Sequence, residues 1–414
     1  RDDLVFCYAV SDDGLSWEKP NLNRYEWRGS KANNICLAGY RNFPQPMVHK
    51  LPEERGGGYL MFFWGRTPSG FAKGERVGLI RATSTDGIVW EVDPRTNPVW
   101  PDIHDLQCIA YDSDLGKYVA FQRWTRGADL SAVPGYPDTL TGEGDQVWPP
   151  RPDHSVRMVA RVESSDGLQW ERFRWILEPD LDDPLHIQFY SMQGFPIHGI
   201  YAGLLEIFDE RRLSLEYQLT TSRDGLNWSR VGNREPFFPT GAHHAWDCEM
   251  VTIRTIPITL SDKLGNPREM RIYYTGSNWK HIHSTAPLAT GRELGTRSKG
   301  ASGVGVATLR PDGFVSLYGG ETEGDVVTCP VRLTGATLFV NADASGGRLR
   351  VTLLDKSGKP IESHSEAECD PLHADKLFHA VSWNGNTHLG DLNGREIRLQ
   401  FHLRKAHLYS FWTA

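Results

Sequence analysis

Apolar residues come in short runs along this chain, each the length of one strand, and five of these runs end on the same corner. The runs are LVFCYAVS from Leu4, VGLIRATS from Val77, RMVARVESS from Arg157, LEYQLTTS from Leu215 and GVGVATLR from Gly303. Asp-Gly follows each of them. Four of the corners share the frame Ser-x-Asp-Gly-x-x-Trp: Ser11–Trp17, Ser84–Trp90, Ser164–Trp170 and Ser222–Trp228. The fifth keeps only Asp312 and Gly313, with Phe314 behind them. Asp-Gly supplies the positive φ angles that a tight hairpin needs. The Ser hydroxyl and Asp carboxylate can take up turn amides, and the Trp can cover the hairpin with its apolar face. The unit is therefore strand, Asp-Gly turn, strand, and its Asp and Trp residues are read as structural.

Gly14, Gly87, Gly167, Gly225 and Gly313 stand 73, 80, 58 and 88 residues apart, room for four antiparallel strands and their loops. Self-similarity at such a period signals a repeat architecture. Further strands fill each interval: NICLAGY, MVHKL and YLMFFWG before Trp90; LQCIAYD and YVAFQRW before Trp170; HIQFYSM and IYAGLLEIF before Trp228; EMVTIRTI and RIYYTG before Asp312. A Pro/Gly-rich insertion from Arg126 to Pro152 interrupts the third interval. Helical periodicity is nearly absent. The expected fold is all-β: a five-bladed β-propeller over residues 1–318, its first blade incomplete at the N-terminus. After the linker GGETEGD, short alternating strands separated by NADASGG, DKSGKP and NGN predict a β-sandwich over 319–414.

At 414 residues, two domains are the starting expectation. The net charge of −7 argues against nucleic acid as a partner, and no apolar run approaches the ~20 residues that cross a bilayer. The six cysteines form no CxxC pair, so buried thiols are expected, with a Cys329–Cys369 bridge left open. Fourteen Trp, only four of them used by turns, leave flat apolar faces suited to sugar rings.

In a propeller the first strand of each blade follows the Trp-bearing strand of the previous one, so the residues leading into it ring a central funnel. Those segments are Asn33-Asn34; Trp100-Pro101-Asp102-Ile103-His104-Asp105; Glu178 to Pro184, with Tyr190 beyond; and Gly241 to Glu249, which holds His243, His244, Trp246 and Asp247. All but the first carry acids. Carboxylates converging on one funnel repel, which separates their pKa values and lets one stay protonated while another ionises. That is what cleavage of a glycosidic bond requires. Strand alternation would place Asp247 and Glu249 on one side. Arg123 is expected to pair with a funnel acid, and His281 and His283 to lie at one rim. Four His of this repeat and Asp247 show no metal-binding frame, so neither metal nor cofactor is expected.

The repeated turns and the acids on inner strands resemble the five-bladed propeller glycoside hydrolases, the superfamily of invertases, levansucrases, arabinanases and β-xylosidases. The resemblance covers residues 1–318, and a following β-sandwich is similar to the invertase arrangement. Trp246-Asp247-Cys248-Glu249 looks like the invertase-type Trp-Glu-Cys segment with its acid displaced, and no WMNDPNG-like segment is present. The resemblance implies three acting acids: Asp102 as base or nucleophile, Asp183 tuning its partner, and Asp247 or Glu249 as general acid. Asn34, Arg123, Tyr190, His244, Trp246 and His281 would contact an oligosaccharide or polysaccharide. Two alternatives stay open: a carbohydrate-binding propeller without catalysis, and a glycoside phosphorylase in which Arg123, His281 and His283 recruit phosphate.

Overall fold

The computed structural model describes all residues except 1–3, 41–44, 102, 104, 106, 128–139, 143–145, 149–154 and 282–300. The chain is all-β, its described helix confined to short 3-10 turns such as Glu53–Arg55. By residue contacts it divides into two units, 1–257 with 272–307, and 258–271 with 308–414.

The first unit is a succession of antiparallel sheets. Leu4–Cys7 pairs with Ile35–Tyr40. The second sheet runs Met47–Lys50, Tyr59–Arg66, Val77–Ser84 and Trp100–Pro101; the third runs Gln107–Asp112, Lys117–Gly127, Ser155–Ser164 and Glu171–Leu177. The fourth is Ile187–Ile197, Ile200–Asp209 and Ser214–Ser222, with Trp228–Arg230 at its edge. The fifth combines Met250–Ile253, Pro267–Ser277 and Ser302–Leu309, and joins the fourth through one parallel pairing, Leu215 with Met250. First strands of successive sheets lie side by side. The Ile109 amide donates to Met47 Sδ at 3.0 Å, and Cys108 Sγ to Gly194 O at 3.7 Å.

Four turns carry the expected chemistry. In each, the Gly amide donates to the Ser Oγ at 2.8–2.9 Å. The Asp Oδ1 then accepts two further amides, as Asp224 does from Leu226 and Asn227, both at 2.8 Å. These bonds hold the Asp13 carboxyl down at about 2. Only the glycine has positive φ, +69° to +76° across the four. Trp90 and Trp228 donate their indole N–H back to the turn glycine's carbonyl at 3.1 and 3.0 Å.

These turns also lean on the neighbouring sheet. A Cβ on Gly167 would meet Phe62 of the second sheet at 2.7 Å, and one on Gly225 would meet Arg161 of the third at 2.0 Å. Arg161 donates to Asp224 O at 2.8 Å. The first turn leans on the fifth sheet: Tyr273 Oη donates to Gly14 O at 2.9 Å, and Trp17 meets the Tyr273 ring edge-on. Gly225→Ala is expected to lower the melting temperature by several degrees. It combines the left-handed penalty of about 1–2 kcal/mol with displacement of a guanidinium, and a thermal melt beside Ser229→Ala, outside the contact, checks it.

Two strand assignments differ from the sequence expectation. Ile35–Tyr40 does not join the Met47 sheet; it pairs with the N-terminal strand. The junction is fixed where Asn34 Nδ2 donates to Tyr8 O at 2.7 Å and Tyr8 N to Asn34 O at 2.9 Å. The fifth turn makes no hairpin. Arg310 stands where the frame has Ser, so the Gly313 amide donates to Arg310 O, and Asp312 itself has φ +58°. Leu317–Gly319 then pairs with Ala406–Thr413 instead of its own preceding strand.

In the second unit, two four-stranded antiparallel sheets share one core. One orders Leu317–Gly319, Ala406–Thr413, Leu338–Asp343 and Asp375–Ala380; the other groups Gly324–Val327, Val331–Arg332 and Arg348–Leu354 around Glu396–Arg404. Alternate residues point inward, among them Leu338, Val340, Val351, Leu353, Leu399 and Phe401. Cys329 and Cys369 are free thiols, so no bridge forms there.

Candidate active site

Polar side chains from three successive sheets of the first unit meet around Tyr190. In the pairing of Ile187–Ile197 with Ile200–Asp209, Phe189 opposes Ile207 and Ser191 opposes Glu206, so Tyr190 is the extra residue of a β-bulge. Bulges re-aim side chains. Here Tyr190 Oη reaches His281 Nε2 at 2.8 Å, and the two rings meet edge-on 4.9 Å apart. Phe208 packs edge-on against both rings, its centroid 5.1 Å from the imidazole and 5.6 Å from Tyr190. Arg123, from the third sheet, holds its guanidinium 5.3 Å from the Tyr190 ring centre, and Arg157 holds its own at 5.2 Å, distances at which cation–π attraction operates.

Each arginine has an acid nearby. Arg123 forms an ion pair with Asp105, in the segment leading into the third sheet. Arg157 lies 3.9 Å from Glu210. Arg254, just past Met250–Ile253, meets Glu206 at 2.8 Å. The Glu206 carboxylate is fully buried; its Oε2 also accepts Ser191 Oγ at 2.5 Å, while Oε1 has no hydrogen-bond partner among the described residues. Burial pushes His281 down to about 4: Glu206 works against the shift, and Arg157, Arg254 and Arg123 work with it. The imidazole is therefore neutral near pH 7. Burial raises Tyr190, although Arg123 opposes it.

Asp247 belongs to a second group. It lies in a compact turn before the strand, in which Ala245 N donates to Ala242 O and Gly241 N to Asp247 O. Strand alternation therefore does not govern Asp247 and Glu249, contrary to expectation. Glu249 already donates its amide to Ser277 O at 3.1 Å. Asp247 Oδ2 accepts Tyr274 Oη at 2.9 Å, and Trp246 stacks on the Tyr274 ring at 5.7 Å. Burial and this carboxylate raise Tyr274 to about 12. Gly276 makes the arrangement possible, since a Cβ there would lie 2.5 Å from the Asp247 Cβ and 2.8 Å from the Trp246 ring. His244 is exposed beside His243.

Of the residues expected from sequence, then, Arg123 and His281 both meet Tyr190, and Trp246 and Asp247 meet at Tyr274. Asp183 is held by two arginines. Both of its oxygens receive Arg230 Nη1, at 2.5 and 2.6 Å, and Arg234 stands 3.4 Å away. Asn34 ties the first two strands. Asp102 and His283 lie outside the described residues. Among the described residues, no three His, Cys, Asp or Glu are grouped to hold a metal ion. Glu206, Arg157, Arg254 and Tyr274 were not expected. The signal for Glu206 is a single charge inside the apolar run IYAGLLEIF.

No family model matches the chain, and no curated protein matches it. Solved structures do. An N-acetylgalactosamine deacetylase from F. plautii, in complex with blood group B trisaccharide, is 15% identical over 74% of this chain and 81% of its own, with TM-score 0.43. A Bombyx mori GH32 β-fructofuranosidase is 10% identical over 91% and 78%, with TM-score 0.34. A glycosyl hydrolase from Bacteroides ovatus is 16% identical over 57% and 60%, also at 0.34. Glycoside hydrolases, the class whose propeller members the sequence pattern resembles, are thus among the structures similar to this chain.

Proposed function

We propose that the chain is a five-bladed β-propeller followed by a β-sandwich, and that the propeller is a glycoside hydrolase acting on an oligosaccharide or polysaccharide. The observation that carries the reading is the convergence at Tyr190: Arg123 from the third sheet and Asp105 from the segment leading into it, Glu206 from the fourth, and Arg254 and His281 from segments just past strands of the fifth gather at one place. Side chains so far apart in sequence meet in this way when sheets are set around an axis. The order in which turns lean on sheets supports a closed ring, because third leans on second, fourth on third, and first on fifth. Two packed sheets with one core support the sandwich.

In this reading Asp247 or Glu249 protonates the departing glycosidic oxygen, and Asp102 acts as base or nucleophile. Trp246 offers the sugar an apolar face, while Arg123, Tyr190, His244 and His281 bind its hydroxyls. Asp183 holds the loop before the fourth sheet. One feature favours a second reading. Three guanidiniums and a neutral imidazole around Tyr190 would also suit phosphate, as a glycoside phosphorylase needs. A screen of aryl glycosides and oligosaccharides, run with and without inorganic phosphate, separates the possibilities. Free sugar irrespective of phosphate is the expected result. A sugar 1-phosphate formed only with phosphate supports the phosphorylase, and saturable binding with no release supports a lectin-like propeller.

A further inference from the structure

Glu206 is the most deeply buried acid in the cluster, and no step of the proposed chemistry uses it. Its backbone and side chain occupy a particular place. Glu206 stands directly opposite Ser191, the residue at which the strand pairing resumes after the Tyr190 bulge. The Ser191 hydroxyl donates to Glu206 Oε2 at 2.5 Å. On the other flank, Glu206 opposes Tyr217. Arg254 Nη1 bridges the group, donating to Glu206 Oε2 at 2.8 Å, to Tyr217 Oη at 3.3 Å, to Ser191 Oγ at 3.3 Å and to Ile253 O at 3.0 Å. Tyr217 is in turn fixed by the Ile253 amide, at 2.7 Å. One carboxylate therefore ties the bulged strand of the fourth sheet to the first strand of the fifth.

We propose that Glu206 is a positioning residue of this site: through Ser191 it latches the bulge that turns Tyr190 toward His281 and Arg123, and through Arg254 it anchors the fifth sheet beside them. It touches no substrate and acts only through these partners. A bulge adds one residue without a ladder partner, so its register needs an outside constraint. The Ser191–Glu206 bond supplies that constraint, and burial makes it strong. Among the charges acting on His281 are Glu206, Arg157, Arg254 and Arg123. Glu206 is negative, so it also limits how far the imidazole is driven from protonation.

The inference rests on the reading that this cluster faces the sugar, and two readouts separate the two. Ser191→Ala, which removes only the latch, and Glu206→Gln are compared with the parent by ¹⁵N NMR of the His281 ring and by turnover of the glycoside found in the screen. Both variants are expected to lose the Tyr190–His281 hydrogen-bond signature at Nε2. Glu206→Gln should also move the His281 midpoint further below about 4, because the group that raises it is gone. For Ser191→Ala, kcat/KM should fall by about 10²-fold, as a displacement near 1 Å produces; the melt should fall by a few degrees, because a buried carboxylate loses a donor, and both should recover in Ser191→Thr. A folded Ser191→Ala protein with the parental ring signature and turnover would overturn the proposal, whatever Glu206→Gln does. A parent enzyme that turns over no glycoside, yet shows the ring changes, would sink the glycosidase reading and leave the latch standing.

Discussion

Asp247→Asn is expected to reduce kcat on a substrate with a poor leaving group by about 10²–10⁴-fold, the usual contribution of a positioned general acid. Asn retains the size of Asp, and its amide oxygen can still accept the Tyr274 hydroxyl that Asp247 Oδ2 takes at 2.9 Å. The turn from Gly241 to Asp247 should therefore stay folded, and Trp246 should stay on the Tyr274 ring. What disappears is the proton. An aryl glycoside whose leaving group departs as a stable anion needs no such proton, so its turnover should fall far less. The ratio of the two losses is the measurement. Equal losses on both substrates would place Asp247 in the base or nucleophile role. Glu249→Gln, run in parallel, decides between the neighbours: Glu249 uses its backbone in the ladder with Ser277, and it is expected to show the smaller loss.

The turns were legible because their chemistry is local. Ser, Asp, Gly and Trp sit within seven residues of each other, and every bond of the motif closes inside that window. The fifth corner misled for the same reason in reverse: Asp312-Gly313 looks like its fellows, but Arg310 cannot supply the hydroxyl the frame needs. Ile35–Tyr40 is legible as a strand but its neighbour is not, since pairing is decided by contacts such as Asn34 with Tyr8, 26 residues apart. At the candidate site, part of the cluster lies in or near the segments that lead into first strands. Asp105, Tyr190 and Asp247 all come from them or just beyond. Glu206 and Arg254 escaped because a buried pair has no local pattern. Glu206 is a lone charge in an apolar strand and Arg254 one just past another, and each becomes intelligible only when the other is 2.8 Å away.

Asp183 is a carboxylate held by two arginines, and its replacement is expected to cost stability more than chemistry. Its side chain is 4% exposed and that of Arg230 is 6% exposed. Asp183→Ala leaves the guanidinium in place with Gln218 as its remaining partner, the situation in which breaking a buried pair costs about 3–5 kcal/mol. For a unit of this size that corresponds to a fall of roughly 10 °C in the melting temperature. Removing both charges, in Asp183→Leu with Arg230→Met, should restore part of the loss, because apolar replacements of a buried pair are often neutral. The double-mutant cycle then gives a coupling energy well above that of an exposed pair. Below its melting transition, Asp183→Ala should retain kcat within about tenfold, since both carboxylate oxygens are engaged by Arg230. A variant that melts with the parent but has lost turnover would return Asp183 to the catalytic set and would require the arginines to release it when substrate binds.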